Sequence, residues 1–446
     1  MRRTFNLVRL ACLPLSITLI TILTGSVINR VMVVELGMPV TLAGLFLAIP
    51  LLVAPVRIWL GYVSDAYPIG GLRREPYLIL GAILSGIGAA LAVVLVINTT
   101  SLLSLGAVAT LVTLVVYGLG RNLVNNTFQA LIADMFAPGV PRGRAANLYE
   151  VVKMLGLIIG AGLVSQALRP YSPERLTAVV IGIGLLAVVL SIFATVRQEP
   201  RTEAMRQATV TARATPFWPT FRTLLWNDPI ARLFFAIVTL TLLGTQMLDV
   251  LLEPYAGLVF GLDVSATTRL TMFWGLGTLI AILLSGLVFI KLLGLQRLFR
   301  LGIVILLVLF PALILTGVVQ STALLQLTVL GLGLGTGLTA ASLLAYMVQF
   351  TTIRRAGLMV GVWGVGHQLG RALASLVGGV VVDGVTWATD GNHLVAYGTA
   401  FMLEAALLLV AMVAIGRLHI EAASALQEEK MSAPLTAVPA LPGQSL

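Results

Sequence analysis

The chain has 446 residues, of which 58% are hydrophobic and only 10% are charged. A soluble domain typically carries about 25% charged residues, and so few cannot cover a water-facing surface at this length, so soluble folds are excluded. Intrinsic disorder is excluded too, because disordered chains are poor in hydrophobic residues. The single cysteine, Cys12, rules out an internal disulfide and cysteine-based metal sites, and three scattered histidines argue against a histidine-rich one. The composition predicts a helical protein that crosses a membrane many times.

Twelve hydrophobic runs are long enough for a bilayer crossing, which takes about 20 predominantly apolar residues. We number them spans 1–12 and predict them at 10–34, 41–63, 76–97, 104–131, 145–168, 176–196, 230–252, 264–290, 301–319, 323–350, 358–382 and 395–415. The first run follows two arginines, as in a signal peptide, but it has no convincing small-residue cleavage site. We therefore expect it to be retained as a helix.

The basic residues are unevenly distributed between the two sides of the membrane. If the N-terminus is cytoplasmic, 20 of the 28 Lys and Arg residues lie in the cytoplasmic gaps and tails or within three residues of them, whereas Arg169, Arg175 and Arg269 lie in or near the outer gaps. Cytoplasmic loops of membrane proteins are enriched in Lys and Arg, so both termini are predicted to be cytoplasmic. The net charge of +10 then reflects topology and contact with anionic lipids, and no nucleic-acid partner is predicted.

The spans divide into two groups of six. Residues 197–229 are the longest polar stretch inside the chain, and the sequences on either side of it echo each other. Segment 37–41 after span 1 resembles 261–265 after span 7, and the basic segment 142–145 before span 5 resembles 354–356 before span 11. Such parallel repeats are typical of the major facilitator plan. We predict an N-terminal six-helix bundle at 1–196, a cytoplasmic linker at 197–229, a C-terminal six-helix bundle at 230–416 and a disordered cytoplasmic tail at 417–446.

The loop after span 2 contains a second indication of this plan. A Gly-Tyr-Val-Ser-Asp segment ends at Asp65 and is followed by Arg73 and Arg74, which resembles the major facilitator signature G-x-x-x-D with a basic pair. An aspartate there can meet the positive end of a neighbouring helix and latch one conformation. Ala66 replaces the usual cation and Ile290 stands at the equivalent place in the second half, which weakens the case for a latch.

Several ionisable residues fall within predicted spans, where a charge costs several kcal/mol unless it is paired. Counting residues along each helix places Arg121, His367 and Glu404 near the midplane. Arg371 lies one turn after His367 on the same face and can pair with a carbonyl of a bound ligand or with an acidic residue such as Glu404.

Two further features of the spans have structural interpretations. Glu150 and Lys153 are three residues apart and can neutralise each other on one helix face. Four glycines between 331 and 337 lie in span 10 without the strand and lysine of a phosphate-binding loop, so we predict a helix-contact face.

Span 4 carries side-chain amides at Asn122, Asn126 and Gln129 along one helical face. These amides can join helices or line a substrate path. No nucleophile–base pair with an orienting third group is visible, so enzyme activity is not predicted.

Three sequence blocks have a more specific resemblance. They are Asn29–Gly37, Leu252–Gly257 with its continuation to Thr271, and Arg355–Gly364. In these blocks the chain resembles the PucC/LhaA family, the bacteriochlorophyll-delivery branch of the major facilitator superfamily in phototrophic bacteria. The resemblance covers nearly the whole chain and is weakest in the linker and the tail.

The resemblance implies an assembly factor for light-harvesting antenna complexes in the inner, cytoplasmic or intracytoplasmic, membrane. Such a protein would bind bacteriochlorophyll transiently and hand it to nascent antenna polypeptides, with pigment-synthesis enzymes and membrane lipids as further partners. The alternative is a secondary transporter of a small amphiphilic solute, proton-coupled through Glu404 or Glu150.

His367 is the first candidate ligand for the pigment magnesium, because neutral imidazole is a common metal ligand and no other histidine lies deep in a span. Surrounding glycines would let a flat macrocycle approach, and Trp363 lies one turn earlier to stack on it. Asn122, Asn126 and Gln129 are the next candidates. The alternative for His367 is a hydrogen bond between helices, with the glycines serving close packing.

The block Glu253–Pro254–Tyr255 is predicted to form a rigid extracytoplasmic corner. Proline disfavours helix in the preceding residue, so span 7 should end at Glu253, and Tyr255 should lie at headgroup level. Such a corner would serve a conformational role or a docking role.

Overall fold

The computed structural model describes residues 8–53, 56–98, 105–136, 140–199, 229–350 and 356–432, and these are almost entirely helical. The spans are formed by helices Val8–Glu35, Val40–Leu52 with Val56–Ala66, Glu75–Asn98, Leu105–Met135, Val140–Ala167, Pro173–Thr195, Pro229–Gln246 with Leu248–Phe260, Val264–Leu284, Ile290–Val319, Thr322–Phe350, Ala356–Ala388 and His393–Ser432. Each predicted span corresponds to one of these units.

Within the described residues, ten helical segments are long and apolar enough to cross a membrane. One of them, Val264–Val319, is 56 residues long and leaves helical geometry at Gly294, where φ is +73°. It therefore contains spans 8 and 9. Span 2 adds the last unit as two shorter helices, the first of which is Val40–Leu52. The prediction of twelve spans is confirmed.

Glycines allow the helices inside each half to pack backbone to backbone. In the first half, a Cβ on Gly120 of span 4 would lie 2.4 Å from the backbone nitrogen of Ser85 in span 3. In the second half, a Cβ on Gly333 of span 10 would lie 2.1 Å from the Trp274 carbonyl oxygen of span 8. Gly335 faces Leu306 of span 9 instead. The glycine run of span 10 thus contacts two neighbouring helices, as its predicted packing role requires.

Span 7 ends later than its sequence indicated. Pro254 lies inside the helix Leu248–Phe260, which ends at Gly261 in the left-handed conformation, with φ +66°. Proline has no N–H to donate to the carbonyl four residues earlier, here that of Val250, and the Asn29 side chain of span 1 donates to that carbonyl at 2.5 Å. A membrane helix tolerates proline where a neighbour satisfies the freed group in this way. The prediction that Pro254 ends the span at Glu253 is wrong.

The last helix also runs further than predicted. It continues from span 12 to Ser432, so residues 417–432 of the predicted disordered tail are helical. This stretch is rich in Ala, Glu and Leu, which favour helix. Residues 433–446 and most of the predicted linker, 200–228, lie outside the described residues.

In the described part of the chain, the two six-helix halves meet where span 2 packs on span 11, span 5 on span 8, and span 1 on spans 7 and 8. The first pair is the tightest, since a Cβ on Gly44 would lie 2.1 Å from the Ser375 carbonyl oxygen and one on Gly379 would lie 2.6 Å from the Thr41 Cα atom. Spans 4, 7, 11 and 12 supply the charged side chains at the centre of the bundle.

Candidate functional site

Hydrogen bonds join the two halves at the end of the bundle away from the termini, which we call the far end. The Asp383 carboxylate of span 11 accepts hydrogen bonds from the backbone N–H groups of Val40 (2.9 Å) and Thr41 (2.7 Å), which begin span 2. A helix leaves its first N–H groups without internal partners, and a carboxylate there also interacts favourably with the helix dipole. Asp383 therefore ties the second half to the first residues of a helix in the first half.

Spans 5 and 8 are tied at the same end, where the Ser165 hydroxyl donates to the Ser265 carbonyl at 2.7 Å. Span 1 adds Arg30, which is buried, pairs with Glu35 and donates to the Leu262 carbonyl at 2.7 Å. The far end is thus closed by backbone contacts and by side chains from both halves.

Glu253 lies beneath this closure and is only 2% exposed. One of its oxygens accepts a hydrogen bond from Thr271 of span 8 at 2.6 Å, and the Thr271 hydroxyl lies 2.9 Å from that of Ser26 in span 1. The other oxygen, Oε2, is buried and accepts no hydrogen bond from the described part of the chain. Pro254 is also buried, so neither residue presents a docking surface.

Tyr255 is likewise inside the second half instead of at headgroup level. Its side chain is 0% exposed and its hydroxyl donates to the Leu313 carbonyl at 2.9 Å. Its ring packs against Tyr397 and Phe401. The headgroup prediction is wrong because span 7 continues past Pro254, which turns this tyrosine into the bundle.

Span 7 is interrupted at Met247, between its two helices, and a buried carboxylate meets the break. The Leu248 N–H, the first of the outer helix, donates to the Glu404 Oε1 atom of span 12 at 2.8 Å. Glu404 is 0% exposed, and its Oε2 atom has no hydrogen-bond partner among the residues that the structure describes. Its role here is to satisfy the backbone of a broken membrane helix.

Two arginines and an aspartate from both halves meet at the centre, and we call Arg121, Asp249 and Arg371 the central charge cluster. The Arg371 guanidinium of span 11 lies 3.2 Å from the Asp249 carboxylate of span 7, and these side chains are 24% and 32% exposed. Arg121 of span 4 is partly buried and within electrostatic range of both. The acidic partner of Arg371 is thus Asp249 and not Glu404, whose carboxylate binds the span 7 backbone.

His367 and Trp363 continue the same face of span 11 from Arg371, at intervals of four residues. The rings of Trp363 and His367 are 5.8 Å apart and tilted by 45°, and Trp363 also stacks on Phe234 of span 7 at 6.5 Å. His367 is partly buried. Span 11 therefore carries a histidine one turn before Arg371 of the central charge cluster and, two turns before it, a tryptophan that stacks on Phe234.

The glycines around His367 serve two purposes. Gly366 and Gly370 pack against span 7, where a Cβ on Gly370 would lie 2.9 Å from the Thr239 carbonyl oxygen. A Cβ on Gly364 would meet nothing within 4 Å. Helix packing accounts for Gly366 and Gly370. Gly364, three residues before His367, has no such neighbour.

The span 4 amides face their own half. Asn122 is 1% exposed and donates to the carbonyls of Gly118 (2.8 Å) and Pro50 (3.4 Å). A Cβ on Gly61 would lie 2.4 Å from the Asn126 Nδ2 atom, and Gln129 is exposed. This arrangement favours the helix-joining role for Asn122 and Asn126, and pigment ligation by the three amides stays a prediction.

The loop after span 2 forms an ion-pair network inside the first half. Asp65 lies 2.7 Å from Arg73 and 2.6 Å from Arg74, and Arg74 also reaches Asp134 of span 4 at 2.8 Å. Burial opposes the charge of the Arg74 guanidinium, but the carboxylates of Asp65 and Asp134 raise its pKa above the ordinary value. Asp65 therefore holds two arginines, and its predicted contact with a helix end is made by another residue.

That residue is Glu199, after span 6, which accepts hydrogen bonds from the backbone N–H groups of Arg73 (2.7 Å) and Arg74 (2.8 Å) at the start of span 3. Glu75 accepts in return from the N–H groups of Gln198 (2.6 Å) and Glu199 (2.8 Å). Sequence reasoning missed both glutamates, because their partners are backbone groups more than 120 residues away.

The remaining predicted pair, Glu150 and Lys153, is present as an i,i+3 ion pair on span 5. Its side chains are 51% and 37% exposed. The pair is local to one helix turn and stands apart from the central charge cluster.

Comparison with solved structures identifies the fold. The nucleoside transporter NupG superposes with a TM-score of 0.70 over 93% of this chain and 99% of that chain, at 14% sequence identity. The fold is therefore the major facilitator fold predicted above, with twelve transmembrane helices in two bundles of six.

Comparison of sequences identifies the family. Protein PucC of Rhodobacter capsulatus is 30% identical over 428 residues, which are 91% of this chain and 90% of that protein. The bacteriochlorophyll synthase 44.5 kDa chain of the same organism is 30% identical over 419 residues, covering 92% and 94%. The family model described as PUCC protein matches residues 27–423. This chain belongs to the PUCC protein family.

Proposed function

We propose that this protein is an assembly factor that binds bacteriochlorophyll and delivers it to nascent light-harvesting antenna polypeptides. The observation that carries the proposal is the family match from residue 27 to 423. A relative at 30% identity is named as a bacteriochlorophyll synthase chain, which supports pigment as the cargo. Carrying pigment, and not transforming it, agrees with a fold shared with transporters.

We place the pigment macrocycle beside span 11. His367 would supply one nitrogen to the pigment magnesium, and Trp363 would lie against the ring edge. A Cβ on Gly364 would meet nothing within 4 Å, which supports the approach of a ligand to this part of span 11. The ligand role of His367 is a part of this proposal and rests on its chemistry and position.

We place the protein in the inner photosynthetic membrane with both termini in the cytoplasm. The excess of Lys and Arg on that side, 20 against three, supports the orientation. The closed far end would then face away from the cytoplasm, and pigment would enter from the side of the termini. Pigment-synthesis enzymes and antenna polypeptides are the partners we propose there, with membrane lipids around the bundle.

Purification of the full chain from a phototroph tests the proposal. We expect bacteriochlorophyll absorbance in the purified wild-type protein and reduced antenna absorbance in a deletion strain. His367→Ala should lose bound pigment with an unchanged melting profile, whereas the control His393→Ala, at the start of span 12, should retain it. Pigment-free wild-type protein together with an intact antenna spectrum would contradict the assembly role, and retained pigment in His367→Ala would remove this ligand alone.

A secondary transporter of an amphiphilic solute is the second candidate. The specific observation in its favour is the closed far end together with a central charge cluster, an arrangement suited to alternating access. Proton coupling would involve Glu404 or Glu150. Solute-dependent proton uptake into vesicles that contain the purified protein would support this candidate, and bound pigment without such uptake would support the first.

A further inference from the structure

The central charge cluster contains one more positive than negative group. Arg371 and Asp249 pair at 3.2 Å, and Arg121 enters their field from the other half of the molecule. Tyr117, one turn before Arg121, also lies within electrostatic range of Arg371. Charged and polar side chains of spans 4 and 11 therefore interact electrostatically between the halves.

Arg121 is the unmatched member of the cluster. Among the residues that the structure describes, its guanidinium donates no hydrogen bond and forms no ion pair, although it is partly buried. A guanidinium has five N–H donors, and an unpaired charge within a membrane span is costly. Its donors are available to a ligand between the halves.

The other buried carboxylates near the centre have contacts elsewhere. Glu253 accepts from Thr271 beneath the far-end closure, and Glu404 accepts from the Leu248 backbone at the span 7 break. Neither is hydrogen-bonded to Arg121. Asp249 is already held by Arg371, so the described side chains leave one positive charge uncompensated between the halves.

We propose that the central charge cluster binds the carboxylate of an amphiphilic ligand, held by Arg121 from one half and Arg371 from the other. Guanidinium groups bind carboxylates in a planar, two-pronged geometry, and contact with both halves would favour the state in which they are together. The apolar body of the ligand would lie along Trp363 and His367. Its identity as a chlorin with a free carboxylate rests on the proposed function, whereas the carboxylate itself rests on the charges.

Two matched pairs of probes test the proposal on the full chain in lipid nanodiscs. The first pair is zinc pheophorbide a, which has one free carboxylate, and its methyl ester. The second is oleate and methyl oleate, which lack a macrocycle. Binding is measured by quenching of tryptophan fluorescence. For the wild type we expect each acid to bind at least about tenfold tighter than its ester. This ratio corresponds to the lower end of the free energy that a hydrogen bond to a charged group contributes.

Variants assign this preference to the cluster. Arg121→Gln should reduce acid binding to the level of the ester and leave ester binding unchanged, and Arg121→Lys should keep part of the preference. Asp249→Asn removes the competing carboxylate and should strengthen acid binding. Arg175→Gln, an exposed control at the far end, should change neither.

The results separate this inference from the proposed function. Equal binding of both chlorins overturns the carboxylate site while pigment binding stands. An Arg121-dependent preference for oleate without chlorin binding supports the carboxylate site and contradicts the pigment cargo. Absence of binding by all four probes, or an equal loss of acid and ester binding in Arg121→Gln, overturns the inference.

Discussion

Removal of the Asp383 carboxylate is expected to open the far end. This side chain crosses from span 11 to accept two hydrogen bonds, at 2.9 and 2.7 Å, from the first N–H groups of the span 2 helix. A hydrogen bond to a charged group contributes about 1.5–3 kcal/mol. Asp383 is only partly buried, and the freed N–H groups regain water, so we expect the two bonds together to favour the closed state by about 1.5–3 kcal/mol.

This magnitude predicts a measurable change in population. Since about 1.4 kcal/mol corresponds to a tenfold change in an equilibrium constant, Asp383→Ala should raise the ratio of open to closed molecules by about 10- to 100-fold. Asp383→Asn keeps one acceptor oxygen but loses the charge, and its effect should be intermediate. The variants change no contact within the first half, so their folded content should match that of the wild type.

Double electron–electron resonance provides the assay. Spin labels at Leu36→Cys and Trp387→Cys, both exposed and on opposite halves at the far end, would report the separation in a Cys12→Ser background. Asp383→Ala should add a longer-distance population. The matched control is Asp390→Asn, an exposed acid in the turn after span 11, which should leave the distribution unchanged. A wild-type distribution in Asp383→Ala would refute the assignment of Asp383 as a tie between the halves.

Three further changes test the structure. Glu404→Leu should lower the free energy of unfolding by about 1–3 kcal/mol, because the Leu248 N–H loses its acceptor inside the bundle. Glu404→Gln retains an acceptor oxygen, so its melting temperature should fall less than that of Glu404→Leu. Gly44→Ala places a Cβ 2.1 Å from a carbonyl of span 11 and should lengthen the same spin-label distance, while Gly182→Ala, where a Cβ meets nothing within 4 Å, should not. Arg74→Gln should lower the melting temperature to a similar extent at every pH from 6 to 9. The raised pKa of Arg74 keeps its guanidinium charged throughout this range, so the ion pairs with Asp65 and Asp134 are present at each pH. A loss of melting temperature confined to one end of the range would contradict the network.

The number and order of the spans could be predicted from the sequence because the requirement for about 20 apolar residues comes from the bilayer and needs no knowledge of neighbours. The same locality explains the success with Glu150 and Lys153, which meet within one turn of one helix. It also explains the glycine face of span 10, since small side chains permit close approach whichever helix arrives.

The tertiary structure decided which groups the buried polar residues meet. Pro254 does not end its helix, because Asn29 from the other half satisfies the carbonyl that the proline leaves free. Glu404 binds the backbone of Leu248, 156 positions away in the chain, because a break at Met247 exposes that N–H to span 12. Arg371 pairs with Asp249, and no acidic residue in the described segments forms an ion pair with Arg121. These outcomes depend on helices meeting across both halves, and no local spacing in the sequence encodes which atoms come within hydrogen-bond distance.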